Sequence, residues 1–80
     1  MPPPRLSVEQ RSALALLIGA GMNGVTETIM LGRGFTREMV AFLARKGLAT
    51  VRWELVRAGG RTIEVGRVRI TAAGRRALES

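Results

Sequence analysis

Apolar residues recur at two different spacings along the chain, and the spacing changes near Gly47. Before that residue they recur every three or four positions, which is the period of an amphipathic helix. After it, apolar and polar residues alternate over 51–56 and again over 61–71, which is the period of a strand. A turn sequence, Ala58-Gly59-Gly60, separates the two alternating stretches. The pattern therefore predicts helices followed by a β-hairpin.

Each predicted helix begins after a residue whose side chain can cap its first turn. Ser7-Val8-Glu9-Gln10 matches the capping box S-x-x-[EQ], and a threonine precedes each of the other helices. Gly47 follows the third helix as a stop signal. The predicted caps are Ser7, Thr26, Thr36 and Thr71, and the predicted helices cover residues 7–18, 27–31, 36–46 and 72–79.

The returning strand of the hairpin changes phase at Gly66. Ile63 and Val65 share one face, whereas Val68 and Ile70 have the opposite parity. A bulge at Gly66 would return the second pair to the buried face. With a three-residue loop, the predicted pairs are Leu55 with Ile63, Trp53 with Val65, Glu54 with Glu64 and, after the bulge, Val51 with Val68. The pairing of two glutamates is unfavourable.

The helical stripes and the hairpin are expected to enclose one core. Its predicted members are Leu14, Leu17, Ile18, Met39, Val40, Leu43, Trp53, Leu55 and Leu78. Leu16 points away from the apolar stripe of the first helix, with Ala13 nearby. These two residues are a candidate self-association face, and a monomer and a homodimer are equally compatible with the pattern.

Residues 19–24 spell G-x-G-x-x-G, the spelling of a dinucleotide-binding turn. That turn requires a strand before it and an acidic residue about 20 residues after it, at a strand end. Here the glycines follow a predicted helix, so we interpret them as the end of that helix. No cofactor or small-molecule ligand is predicted.

The composition argues against an enzyme. The 80 residues contain no Cys, His, Asp or Tyr, which removes most general bases, metal ligands and nucleophilic triads. No catalytic or metal-binding residue is predicted. The length fits one domain, 7–80, after a flexible Pro-rich arm, 1–6. No apolar run approaches the ~20 residues of a membrane span, and the start lacks a signal-peptide pattern. We therefore expect a cytoplasmic protein without a membrane partner.

Positive charge is concentrated in the second half of the chain. Residues 1–40 carry four Arg and three Glu, a net charge of +1, whereas residues 41–80 carry eight Arg, one Lys and three Glu, a net charge of +6. Such asymmetry favours a polyanionic partner. Nucleic acid and an anionic surface both fit this charge.

The order of elements resembles a winged helix-turn-helix domain of the small bacterial regulator type. VTETIMLGRGFTREMVAFLARKGLA (Val25–Ala49) is similar to the helix-turn-helix, and VRWELVRAGGRTIEVGRVRITAAGRRAL (Val51–Leu78) to the wing and closing helix. The ending RVRITAAGRRAL is similar to the I-T-x-A-G-R-x-x-L ending of such regulators. The resemblance implies an α+β fold with a three-helix core, a β-hairpin wing and a short C-terminal helix.

The resemblance also implies binding of double-stranded DNA. The third helix would enter the major groove, with the wing near the backbone or minor groove. The residues implied to contact DNA are Arg37, Glu38, Ala41, Arg45, Lys46, Arg57 and Arg61. The alternative is a protein–protein interaction module on the same fold. Single-stranded nucleic acid is disfavoured, because Phe35, Phe42 and Trp53 are all expected in the core and leave no stacking platform.

Overall fold

The computed structural model describes residues 5–79 and has an α+β fold, as the sequence pattern predicts. Its helices, within these residues, are α1 (Val8–Ala20), α2 (Glu27–Gly32), α3 (Arg37–Arg45) and α4 (Ala72–Glu79), and its strands are β1 (Val25–Thr26), β2 (Ala49–Ala58) and β3 (Arg61–Ile70). A single 3₁₀ turn, Gly21–Asn23, follows α1. Most of the predicted Pro-rich arm, residues 1–4, lies outside the described residues.

All four predicted caps are confirmed. The Ser7 hydroxyl accepts a hydrogen bond from the Gln10 amide at 3.1 Å, and the Gln10 side chain accepts one from the Ser7 amide at 2.8 Å. The three threonine hydroxyls each accept one from the amide three residues later; these are Thr26, Thr36 and Thr71. α1 continues two residues past the predicted end and stops at Gly21, whose φ of 64° is the left-handed conformation that glycine favours.

The sheet contains a strand that the sequence pattern does not predict. β3 lies in the centre of the sheet, with β2 on one side and the two-residue β1 on the other. β1 pairs antiparallel with β3, Val25 opposite Val68. A strand of two residues is too short to show a period, but it joins the start of α2 to the last four residues of β3.

The predicted register of the hairpin is wrong by one residue, and its bulge is absent. The turn consists of Gly59 and Gly60 alone, with φ of 58° and 77°, so Ala58 pairs with Arg61. Two successive residues with positive φ form the tight turn that matches strand twist, and two glycines adopt it without strain. The shift by one residue brings Val51 opposite Val68, as predicted, without an inserted residue.

The shifted register also changes the partners of the polar residues. Glu54 lies opposite Val65 and Leu55 lies opposite Glu64, so the predicted pairing of two glutamates does not occur. Glu54 instead accepts a hydrogen bond from the Arg67 Nε at 3.0 Å. Gly66 lies opposite Trp53 in regular extended backbone.

The core is formed by the helices and the near half of the hairpin. Its buried members are Ala13, Leu14, Leu17, Val25, Met30, Val40, Leu43, Leu48, Ala49, Val68 and Ala77. This confirms the prediction for Leu14, Leu17, Val40 and Leu43, and Met39 and Leu78 pack against the core while half-buried. The prediction is wrong for three residues, which are exposed by 38%, 58% and 74%: Ile18, Trp53 and Leu55.

Trp53 and Leu55, the two hairpin residues wrongly predicted in the core, are exposed for the same physical reason. Each of the paired strands is ten residues long, about 33 Å at the usual rise per residue. α3, which packs beside β2, has nine residues and a length of about 14 Å. The far half of the hairpin therefore extends beyond the helices, and the molecule measures 49 × 22 × 21 Å.

The self-association face predicted on α1 is not an exposed face. Ala13 is fully buried in the core, and Leu16 is half-buried and packs against the core. α1 contacts α4 and β3 within the same chain. These two residues are used for folding.

The G-x-G-x-x-G segment is a structural turn, as the sequence analysis expects. It follows α1 rather than a strand. Its carbonyls are held by β3: Arg69 Nε donates to the Met22 carbonyl at 2.7 Å, and Arg67 Nη1 donates to the Asn23 carbonyl at 3.1 Å. At Gly24, with φ of 68°, a Cβ would overlap the Val68 carbonyl. The turn thus attaches the end of α1 to the central strand.

Candidate nucleic-acid interface

The outward face of α3 carries the residues that the sequence analysis assigns to it. Val40 and Leu43 are buried, which fixes the rotation of the helix. The opposite side is exposed and displays Arg37, Glu38, Ala41 and Arg45. A helix nine residues long with one free face has the dimensions of an element that fits a major groove.

Arg37 has one ionic partner, which holds it weakly. Its Nε lies 3.6 Å from Glu27 Oε1, and the Arg37 side chain is 79% exposed. Ion pairs at such exposed positions contribute ~0–1 kcal/mol. The guanidinium can therefore leave Glu27 for a phosphate or a base edge at small cost.

Arg45 and Lys46 lie at the other end of α3. Arg45 is in the last turn, where a cation interacts favourably with the helix dipole. Lys46 Nζ lies 5.8 Å from the centre of the Phe42 ring, a cation–π distance. Both side chains are exposed, but each already has a stabilising role at the end of the helix.

The tip of the hairpin presents cations on both of its faces. Arg57 pairs with Thr62, and Arg61 pairs with Ala58. Because side chains alternate along a strand, the two arginines point to opposite faces of the hairpin. Both are exposed, and neither forms an ion pair with another described residue.

Arg37 and the hairpin tip lie toward the same end of the molecule. A cleft of about 320 Å³ separates the starts of α2 and α3 from the hairpin, and Arg37 and Trp53 both line it. The tip begins four residues beyond Trp53, about 13 Å further along the strand. Arg45 and Lys46, eight or nine residues after Arg37, are about 12 Å away in the opposite direction along the helix. Arg37 and the two tip arginines therefore lie toward one end of the molecule, and Arg45 and Lys46 lie toward the other.

Three hairpin arginines have roles that the sequence analysis does not assign. Arg67 and Arg69 hold the carbonyls of the 3₁₀ turn, so their charges are used within the fold. Arg52 is exposed on the face of the hairpin that points away from the helices, and it extends the cationic surface. Its alternation with Val51 and Trp53 is a sequence signal that could have identified it.

Trp53 is a second residue with an unexpected position. Its indole lies over Gly66, where an added Cβ would be 3.2 Å from the ring. Trp53 is exposed rather than part of the core, so its ring is accessible for stacking, contrary to the prediction. Phe35 and Phe42 are half-buried against the core, as expected.

Two other kinds of site are absent from residues 5–79. No group of three side chains suited to holding a metal ion occurs there. None of the helices in that part of the chain has the length and apolar character needed to cross a membrane.

The chain matches no protein-family model, no curated protein and no solved structure.

Proposed function

We propose that the protein binds double-stranded DNA through α3 and the hairpin tip, on a winged-helix arrangement. Three helices, a hairpin and a closing helix follow one another in the order of that fold, and β1 completes a small sheet beside the hairpin. The hairpin then corresponds to the wing. Fold alone does not determine function, so the proposal depends on the charged surface.

One observation supports the proposal above the others. The exposed arginines Arg37, Arg57 and Arg61 lie toward one end of the molecule, and the two at the tip have no anionic partner among the described residues. A folded protein normally disperses like charges, because repulsion opposes compact packing. A duplex backbone would neutralise these cations and release counterions, which is the main source of non-specific affinity.

The geometry indicates how the contacts would be divided. The exposed start of α3 would approach base edges, and Arg37 is placed to donate to guanine. The hairpin tip extends about 13 Å beyond the level of Arg37, comparable to the ~12 Å width of a major groove. The tip would therefore reach the flanking phosphates. Glu38 and Ala41 add little capacity for base recognition, so charge would dominate the affinity.

A titration of random-sequence duplex at several salt concentrations tests the proposal. If about four phosphates are neutralised, log K falls against log salt with a slope of roughly −3.6. Binding at ~50 mM salt with micromolar protein, weakening with this slope, is the expected result. A flat titration under those conditions would overturn the proposal.

Arg37 is tested separately with a pool of different duplexes. Arg37→Ala should alter any sequence preference, because this residue is placed to reach a base edge. Arg75→Ala removes the same charge from α4, which follows β3 at the end of the hairpin opposite the tip, and is the matched control. Equal effects of the two variants would mean that Arg37 acts only through its charge.

A second candidate function is a protein-interaction module on the same fold. The observation that favours it is the exposure of Trp53 and Leu55, which are two positions apart on one face of the hairpin. Clustered apolar side chains on a surface commonly mark a protein contact. This function predicts no measurable duplex affinity even at low salt, so the same titration distinguishes the two.

A further inference from the structure

One face of the hairpin continues the core-facing side of the sheet beyond the helices. Val51, Trp53, Leu55 and Arg57 alternate along β2 on this face, which we call the Trp53 face; opposite them on β3 are Val68, Gly66, Glu64 and Thr62. Val68 is fully buried, whereas Trp53 and Leu55 are mostly exposed. The apolar pattern thus persists where no helix covers it.

The charges on the Trp53 face flank its apolar centre. Leu55 lies directly opposite Glu64, and Arg57 is the next residue along β2 on the same face. Neither Arg57 nor Glu64 forms an ion pair within the described chain. A complementary surface must offer an apolar centre with one anion and one cation in the reverse arrangement.

The Trp53 face is complementary to itself. In a pair of copies related by a two-fold axis beside Leu55, the two Leu55 side chains would contact each other. The same axis would place Arg57 of each copy next to Glu64 of the other. Two-fold contacts of this kind use the same patch on both chains. We propose that the Trp53 face is a self-association surface, occupied by a second copy of this chain. This inference goes beyond DNA binding and does not require it.

Nucleic acid is the less suitable occupant of this face. Glu64, Glu27 and Arg37 all line the cleft beside Trp53, and Arg37 lies 3.6 Å from Glu27. Glu64 has no such cation beside it among the described residues and would repel a phosphate that approaches the indole. Two of the three exposed hairpin arginines, Arg52 and Arg61, point to the opposite face, and Arg57 alone lies on the Trp53 face. A second copy supplies Arg57 to one of these carboxylates and apolar surface to Leu55.

The size of the patch sets the expected affinity. The exposed part of the Trp53 face consists of five residues, Trp53, Leu55, Arg57, Thr62 and Glu64. Stable complexes bury about 1,200–2,000 Å² in total. Five exposed residues on each copy are far fewer than the ~20–30 residues a side of a standard interface. Self-association is therefore expected to be weak and to become visible only at tens to hundreds of micromolar protein, an order of magnitude taken from small transient interfaces.

A charge exchange tests the proposed contact. Arg57→Glu and Glu64→Arg each place like charges opposite one another twice in the pair, so each variant alone should sediment as a monomer. Mixed in equal amounts, they form a pair in which both contacts are attractive, and association should return to the wild-type level. A mixture that stays monomeric would overturn the proposal, as would a wild-type protein that is monomeric throughout this concentration range.

Two apolar substitutions distinguish association through the Trp53 face from non-specific association of the hairpin. Leu55→Glu should abolish association, whereas Ile63→Glu, the matched control on the opposite face, should leave it unchanged. The only tryptophan of the chain is Trp53, so its emission reports directly on this face and should shift to shorter wavelength as association proceeds. Equal effects of the two substitutions, or unchanged emission on association, would contradict the assignment. Circular dichroism of each variant checks that it is folded.

Discussion

Apolar residues alternate with polar ones in both halves of the hairpin, but they are buried in one half and exposed in the other. Near the helices, Val68 is fully buried between β1 and β2 and contributes to the core. Beyond the helices, Trp53, Leu55 and Ile63 are between 44% and 74% exposed. Alternation therefore shows which side chains share a face, but not whether that face is covered.

Whether a face of the hairpin is covered depends on the length of the helices that pack beside it. β2 and β3 are more than twice as long as α3 in ångströms, so the helices cover only the first part of the sheet. The half near the helices contains the core, and the apolar residues of the far half are exposed. This division makes the consequences of substitutions in the two halves very different.

The largest expected effect is the contrast between two leucines. Leu43→Ala leaves a cavity in the core and should lower the free energy of unfolding by ~2–5 kcal/mol. Leu55→Ala, on the uncovered part of the hairpin, should lower it by less than about 0.5 kcal/mol. Thermal and urea unfolding of the two variants measure the contrast. Similar losses in both would mean that the far half of the hairpin belongs to the core.

Two glycines with positive φ give the next contrast. Gly24→Ala combines an unfavourable φ with overlap of its Cβ on the Val68 carbonyl, and should cost about 3 kcal/mol. Gly59→Ala meets nothing near its Cβ at the hairpin tip, so only the φ penalty of ~1 kcal/mol remains. Urea unfolding compares them, and equal costs would argue against close packing of the turn on β3.

A smaller effect is expected at the cap of α3. Thr36→Ala removes the hydroxyl that accepts from the Met39 amide at 3.1 Å, and should cost about 1 kcal/mol. Thr36→Ser keeps the hydroxyl and is the matched control. If Thr36→Ser lowered the melting temperature as much as Thr36→Ala, the cap would not be the source of the stability.

The smallest effect on stability is expected at Gly66. In extended backbone, Gly66→Ala meets only the Trp53 ring at 3.2 Å, and an exposed indole can move by a few tenths of an ångström. The loss should be below about 1 kcal/mol, with a change in Trp53 emission. A loss of several kcal/mol would instead support the bulge that the phase change in the sequence suggests.

The sequence predicts the helices well because their signals are local. Each cap is a short side chain that bonds to an amide three residues away, so Ser7, Thr26, Thr36 and Thr71 can be found from spacing alone. The rotation of α3 is equally local, and with it the exposure of Arg37 and Arg45. These are the parts of the candidate site that could be predicted.

The hairpin is predicted less well because its register depends on a single residue of loop length. Counting Ala58 in the loop displaces the predicted pairs around Trp53 and Leu55 and requires a bulge to correct the phase. The use of Arg67 and Arg69 to hold the turn could not be predicted, because the contacts span 44 and 47 residues. The exposure of Trp53 could have been predicted from the sequence by comparing the expected lengths of β2 and α3.

The most direct test of the division between a stable half and a binding half is the double substitution Arg57→Ala and Arg61→Ala. The measurement is duplex affinity as a function of salt, with the melting temperature of the same sample. We expect weaker binding to all duplexes, a salt slope flattened by about one to two units, and an unchanged melting temperature. Arg75→Ala is the single-charge control on α4. Unchanged affinity, or a melting temperature that falls together with it, would contradict the account.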